Sequence, residues 1–253
     1  MHPWPLVVLA GGGIGILMGF FGVGGSSVAT PVLALLGVPA LAAVASPLPA
    51  TIPAAAIAGT AYLRSGDARP RAAAWSLLGG VPGTVAGALV SRLVGGRFLL
   101  LASGLVLVLV GARVLRPIDE AGRDAGGRRR MNRPLLVGAA SLVGFFTGLL
   151  ANGGAFLLVP LYVLVFGLRM RQAVGTSLVV VAVLAMPTLA MHWALGHIDW
   201  SVAGLLAAGA IPASAIGSVL ARRVEGVRVR RAFGWFLIGF GLLFTAIRLV
   251  ALV

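Results

Sequence analysis

Two glycine pairs sit beside the few polar side chains of a very apolar sequence. Gly24-Gly25 leads into Ser26 and Ser27, and Gly153-Gly154 lies between Asn152 and Ala155. Each pair is followed six residues later by a proline, Pro31 and Pro160. Glycine weakens a helix by about 1 kcal/mol relative to alanine. A helix is therefore expected to stop at each pair and restart at Ser26-Ser27 and at Ala155. A restarting helix exposes unpaired N–H groups and carries about half a positive charge. Such an end attracts anions. Ser26, Ser27 and Asn152 would add uncharged donors. The competing explanation is that paired glycines only permit close helix contact.

A second polar cluster is Gly175-Thr176-Ser177, matched by Ala45-Ser46-Pro47. Each opens the apolar span after a glycine pair. Ser46, Thr176 and Ser177 are candidates to hydrogen-bond a ligand, and equally candidates to cap a helix. The six acids are Asp67, Asp119, Glu120, Asp124, Asp199 and Glu225, and all fall between apolar spans. With no carboxylate in a span, a cation site or proton relay of the usual kind has no ligand. His192, beside Trp193, is expected at the membrane interface, as is Gln172. The chain has no cysteine, so disulfides and thiolate metal sites are excluded. No zinc-protease, nucleophile-elbow or phosphate-loop motif is present, so neither enzyme activity, a cofactor nor a bound metal is expected.

These residues are carried by membrane-length elements. Of 253 residues 59% are hydrophobic and 10% charged, too few charges for a soluble surface. Apolar stretches of about 20 residues recur, each long enough for a bilayer core of about 30 Å. The start, MHPWPLVVLAGG, lacks a basic n-region and is expected to be a retained first membrane segment. The net charge of +14 comes from arginines between the apolar spans, a membrane pattern that argues against nucleic acid as a partner.

The chain also repeats itself. AVAS at 43–46 pairs with AVGT at 173–176, and GGVPGTVAG at 79–87 pairs with GAIPASAIG at 209–217. With the glycine pairs, three motifs recur in order at an offset of about 130. Each half holds a long apolar stretch, 5–37 or 135–167, and then three spans. The spans are 43–63, 73–91 and 98–116, against 173–195, 201–220 and 232–251. As one helix the long stretch would measure about 50 Å, too long for the bilayer. It is therefore one broken span or two short helices folded back as a hairpin. The glycine spacings 11/15/19 and 79/83/87 are expected to be packing seams.

Arginines decide the topology. If each stretch crosses once, the two sides hold 11 and 9 arginines, which is no bias. If each stretch returns to its own side with the N-terminus outside, the inner loops hold 17 and the outer loops 3. The second arrangement has three true crossings per half, so the halves are expected to be inverted relative to each other, a recurring transporter plan. The expected fold is an all-α integral membrane protein with two inverted-topology repeats. Each repeat is a re-entrant or broken glycine-tipped helical hairpin plus three transmembrane helices. The N-terminal membrane repeat is 1–116 and the C-terminal one 134–253, joined by a polar cytoplasmic linker at 117–133. Two inverted tips would then meet near the bilayer centre.

At these residues the chain resembles the TauE/SafE family, the sulfite exporter-like permeases. The likeness rests on Gly22, Gly24, Gly25 and Pro31, on Gly153, Gly154 and Pro160, and on Gly175-Thr176-Ser177, and it runs over essentially the whole chain. The sequence departs from the family pattern at Asn152 and at Ser46-Pro47. The resemblance implies a permease of the cytoplasmic membrane, exporting sulfite, a sulfonate or a related small organic anion. Expected ligand-binding positions are Gly24, Gly25, Ser26, Ser27, Ser46, Asn152, Gly153, Gly154, Ala155, Thr176 and Ser177. The expected partners are a small anionic substrate and the lipid bilayer; a homodimer is left open. Other readings are an anion channel and a non-transporting membrane partner of an enzyme complex.

Overall fold

A chain in lipid must satisfy its own backbone hydrogen bonds, and the apolar runs accordingly become helices in this computed structural model. It describes residues 4–90, 108–116, 132–150 and 155–250. The first half contains α1 (Trp4–Phe21), α2 (Gly25–Leu35), α3 (Ala40–Ala45), α4 (Leu48–Arg64) and α5 (Pro70–Val90). The second contains α6 (Arg133–Leu150), α7 (Ala155–Pro160) with a π-helical continuation at Leu161–Val165, α8 (Met170–Ala194), α9 (Trp200–Arg223) and α10 (Gly226–Val250). A further helical stretch covers 108–115. Among the described residues four segments are long and apolar enough to cross a membrane: Trp4–Phe21, Leu41–Arg64, Met170–Ala194 and Trp200–Arg223. Much of the expected linker, and part of the span expected at 98–116, lie outside the described residues.

The long first stretch breaks at Gly22–Gly24 and restarts at Gly25, one residue before the position expected. Gly22 has φ of 71°, a left-handed conformation suited to glycine. The start of α2 lies against α1: a Cβ placed on Gly25 would lie 3.4 Å from Met18 Sδ and 3.6 Å from Ile14 Cγ2. So α2 begins beside the C-terminal half of α1. The break expected at Gly153-Gly154 in the second stretch lies outside the described residues, which resume in helix at Ala155.

The most extensive packing joins α1 to α9 and α5 to α6, each pair crossing between the halves. Glycine makes both contacts possible. Gly11, Gly15 and Gly19 face the backbones of Leu206, Ala210 and Ser214, and Gly79, Gly83 and Gly87 face those of Val137, Ser141 and Phe145. Residue numbers rise together in both seams, so each pair of helices runs parallel. Contacts recur between equivalent residues. Gly209 meets Val8 as Gly79 meets Val137; Gly217 meets Ile16 as Gly87 meets Phe145; Gly15 meets Ala210 as Gly144 meets Gly80. The small-residue spacings are packing seams, as expected.

The central pair, α4 and α8, runs the other way. Gly59 lies against Val179, whereas Tyr62, further along α4, lies against Gly175, earlier in α8. Numbers rise on one helix as they fall on the other, so these helices are antiparallel. Phe233 and Phe236 of α10 pack on Phe21, with ring centroids 5.6 and 5.2 Å away.

The two ends of the bundle differ. At one end Arg222 Nη1 donates to Ala61 O (3.4 Å) and Arg171 Nη2 to Val224 O (2.9 Å), tying arginine-bearing segments together. At the other end Trp193 and Trp200 meet edge-on at 6.3 Å, and both are exposed. Exposed tryptophans at a helix end suit a membrane interface.

Candidate functional site

The start of α2 lies deep in the bundle. Gly25 packs beside Ile14 and Met18, and the intervening Gly15 faces Ala210, near the middle of α9. The cap residue Gly24 has no side chain to offer the first-turn amides; among the described residues no side chain caps them, and only the Ser27 N–H finds a backbone acceptor, Gly24 O (3.1 Å). Those amides therefore remain the positive end of the α2 dipole. Ser26 and Ser27 are buried, at 0% and 2% exposure. The Ser26 hydroxyl has no hydrogen-bond partner among the described residues, although its carbonyl accepts from Thr30 Oγ1 (2.8 Å). A buried hydroxyl without a partner costs about 1–3 kcal/mol. It either stores that cost or awaits a ligand.

Thr51, which the sequence did not single out, forms a wall of this site. Its Oγ1 would stand 3.0 Å from a Cβ on Gly25, so residue 25 must stay small unless Thr51 moves. That hydroxyl donates to Pro47 O at 2.9 Å. Nothing in the spacing of the sequence pairs residue 51 with residue 25. The only signal is a threonine one turn into an apolar helix.

Gly175-Thr176-Ser177 touches three different segments with three consecutive residues. A Cβ on Gly175 would fall 2.6 Å from Tyr62 Cβ, so only glycine fits there. Thr176 Oγ1 accepts from the Arg69 N–H (3.0 Å) and donates to Gln172 O (2.6 Å). Ser177 Oγ donates to Gly22 O (2.7 Å), holding the turn between α1 and α2. Tyr62 OH donates to Gly19 O (3.1 Å) beside that turn.

Ser46 mirrors Thr176. Its Oγ accepts from the Asp199 N–H at 3.0 Å. Asp199 stands at the start of α9 as Arg69 stands at the start of α5, and each amide is held by a hydroxyl from the opposite half. The structure thus brings Gly24, Gly25, Ser26, Ser27 and Ser177 around the first glycine turn. The oxygens of Ser46 and Thr176 are committed to joining the halves. Asn152, Gly153 and Gly154 lie outside the described residues, and Ala155 is the first residue of α7.

His192 and His197 approach with their Nδ1 atoms 3.2 Å apart. No group of three or more metal-ligating side chains occurs among the described residues.

A buried, uncharged, donor-rich helix start in a bundle of membrane-length helices is suited to holding an anion. A family model described as "Sulfite exporter TauE/SafE" matches residues 7–244. The chain belongs to this family. Two Xylella fastidiosa proteins, each named "Probable membrane transporter protein", are similar to it. The strain 9a5c protein is 30% identical, with 90% of each chain covered. The strain Temecula1 protein is 31% identical, again with 90% of each chain covered. YunE of Bacillus subtilis carries the same description and is 29% identical over 58% of this chain and 60% of its own. No solved structure matches significantly. As a TauE/SafE member the chain is a multi-pass membrane transporter, not an enzyme.

Proposed function

We propose that this transporter moves a small anion through a site at the glycine tips, by rocking one inverted repeat against the other. Sulfite, a sulfonate or a related organic anion fits the family description. The observation that carries the reading is Ser26: a fully buried hydroxyl with no partner among the described residues, on the first turn of a helix that starts inside the bundle. The first-turn amides and the helix dipole favour negative charge there. Gly24, Gly25 and Ser27 complete the first tip, with Ser177 bracing it. By the sequence repeat, Asn152, Gly153, Gly154 and Ala155 are its proposed counterpart.

Inversion is supported by direction. The offset of about 130 makes α4 and α8 equivalent, and equivalent helices that run antiparallel are related by inversion. The reciprocal amide-to-hydroxyl bonds, Arg69 to Thr176 and Asp199 to Ser46, fit the same pseudo-twofold relation. A hairpin that re-enters from its own side is supported by the start of α2 lying against α1.

The test is a screen of sulfite, sulfoacetate and sulfate for binding to purified protein, repeated on Ser26→Leu. Saturable binding lost in Ser26→Leu, with expression intact, is the expected result. Unchanged affinity in that variant would sink the tip site. Flux into vesicles that never saturates with concentration would favour a channel instead.

A further inference from the structure

A second anion-attracting feature lies outside the tip, at the arginine-bearing end of the bundle. A cavity of about 270 Å³ opens between the first turns of α8 and α10. Its wall includes Arg169, Arg171 and Gln172 of α8, Gly226 and Arg230 of α10, and Asp67 of the α4–α5 turn. Two helix N-termini therefore face one space, and both direct partial positive charge into it. Three guanidiniums oppose one carboxylate. Arg230 is 7% exposed, so its charge is held inside the protein. Arg171 is pinned through Nη2 on Val224 O (2.9 Å), while its Nε is buried with no hydrogen-bond partner among the described residues. Arg169 is the N-cap residue of α8. Asp67 accepts from Ser65 Oγ (3.0 Å), which partly occupies its charge.

We propose that this cavity is a peripheral binding site for an oxyanion of the phosphate or sulfate type. Guanidinium N–H groups and first-turn amides are fixed donors that match a tetrahedral anion with several acceptor oxygens. Chloride satisfies that arrangement less well. Asp67 selects against large polyanions by placing one negative charge on the wall. Two sources share this chemistry: a free oxyanion in solution and the headgroup of an anionic lipid. The site stands apart from the tip, since no residue is common to the two.

The experiment uses the full-length protein in phosphatidylcholine nanodiscs, titrated with inorganic sulfate and inorganic phosphate by calorimetry. A parallel arm replaces a third of the lipid with phosphatidylglycerol and counts retained lipid by native mass spectrometry. Arg171→Gln and the exposed Arg169→Gln are compared with Arg223→Gln, an exposed arginine outside the cavity. The expected result is at least tenfold weaker sulfate binding in Arg169→Gln and Arg171→Gln, with Arg223→Gln and Ser26→Leu retaining that binding component. If a headgroup is the occupant, phosphatidylglycerol suppresses sulfate binding, and less lipid is retained in the two cavity variants. Equal binding in all three arginine variants, or no binding of either probe by the unaltered protein, overturns the proposal. Loss in Ser26→Leu alone supports the tip and removes the cavity; loss in the cavity variants alone does the reverse.

Discussion

Removing the Thr176 oxygen leaves the Arg69 amide without its acceptor. Thr176→Val keeps the shape and should cost about 1–3 kcal/mol, the range for a partly buried donor left unpaired. Thr176→Ser keeps the oxygen and should cost much less. Thermal unfolding in detergent separates the two, and equal melting temperatures would show that the bond is not stabilising. Ser46→Ala should behave as Thr176→Val does, because Ser46 holds Asp199 in the same manner. The sequence marked Ser46 and Thr176 as polar residues in apolar spans but could not say what they touch. Their partners lie 153 and 107 residues away, beyond the reach of any local pattern. Ser26 was legible because a serine just after a glycine break is a helix start whatever surrounds it. Thr51 was not, because its role depends on α4 lying against the start of α2.

At the scale of the helix, glycines divide into those that admit a neighbour and those that face open space. Gly15 and Gly144 face the backbones of Ala210 and Gly80, where an added methyl has no room. Gly13 and Gly138 have nothing within 4 Å of an added Cβ. Gly15→Ala and Gly144→Ala should therefore destabilise by about 1–3 kcal/mol or more, the cost of overpacking. Gly13→Ala and Gly138→Ala should be neutral or slightly stabilising, since alanine is the better helix former. Comparing the four melting temperatures tests the seams, and a penalty shared by all four would refute the division. The spacing of Gly79, Gly83 and Gly87 announced a close approach. It could not announce the partner, because any helix fits a glycine seam equally well. That partner is α6, the counterpart of α1, in the other half. The span expected at 43–63 also divides, with α3 ending at Ala45 and α4 beginning at Leu48, around Ser46-Pro47. Proline lacks the N–H that a continuous helix needs there.

At the scale of the molecule, the arginine count and the helix directions bear independently on the proposed inversion. The count used only the charges between spans. The directions come from glycine contacts inside them. The left-handed turn glycines follow the same offset of about 130: Gly37 with Gly167, and Gly66 with Gly196, all with φ between 67° and 82°. Under inversion the members of each pair lie on opposite sides of the membrane. The absence of native cysteine makes this directly measurable. Single cysteines placed beside these turns, at Leu35, Ser65, Leu168 and Leu195, should label with an impermeant thiol reagent in two classes. Leu35→Cys and Leu195→Cys should react from outside intact cells. Ser65→Cys and Leu168→Cys should react only after the membrane is opened. Leu35 and Leu168 test the hairpins, since a stretch that crossed completely would move its following turn to the other side. Outside labelling at Leu168→Cys together with Leu195→Cys would mean that both ends of α8 face the same compartment, which a spanning helix does not allow. Protection of Leu35→Cys with exposure of Ser65→Cys would place the first half the other way up and remove the basis for assigning the arginine-rich end to the cytoplasm.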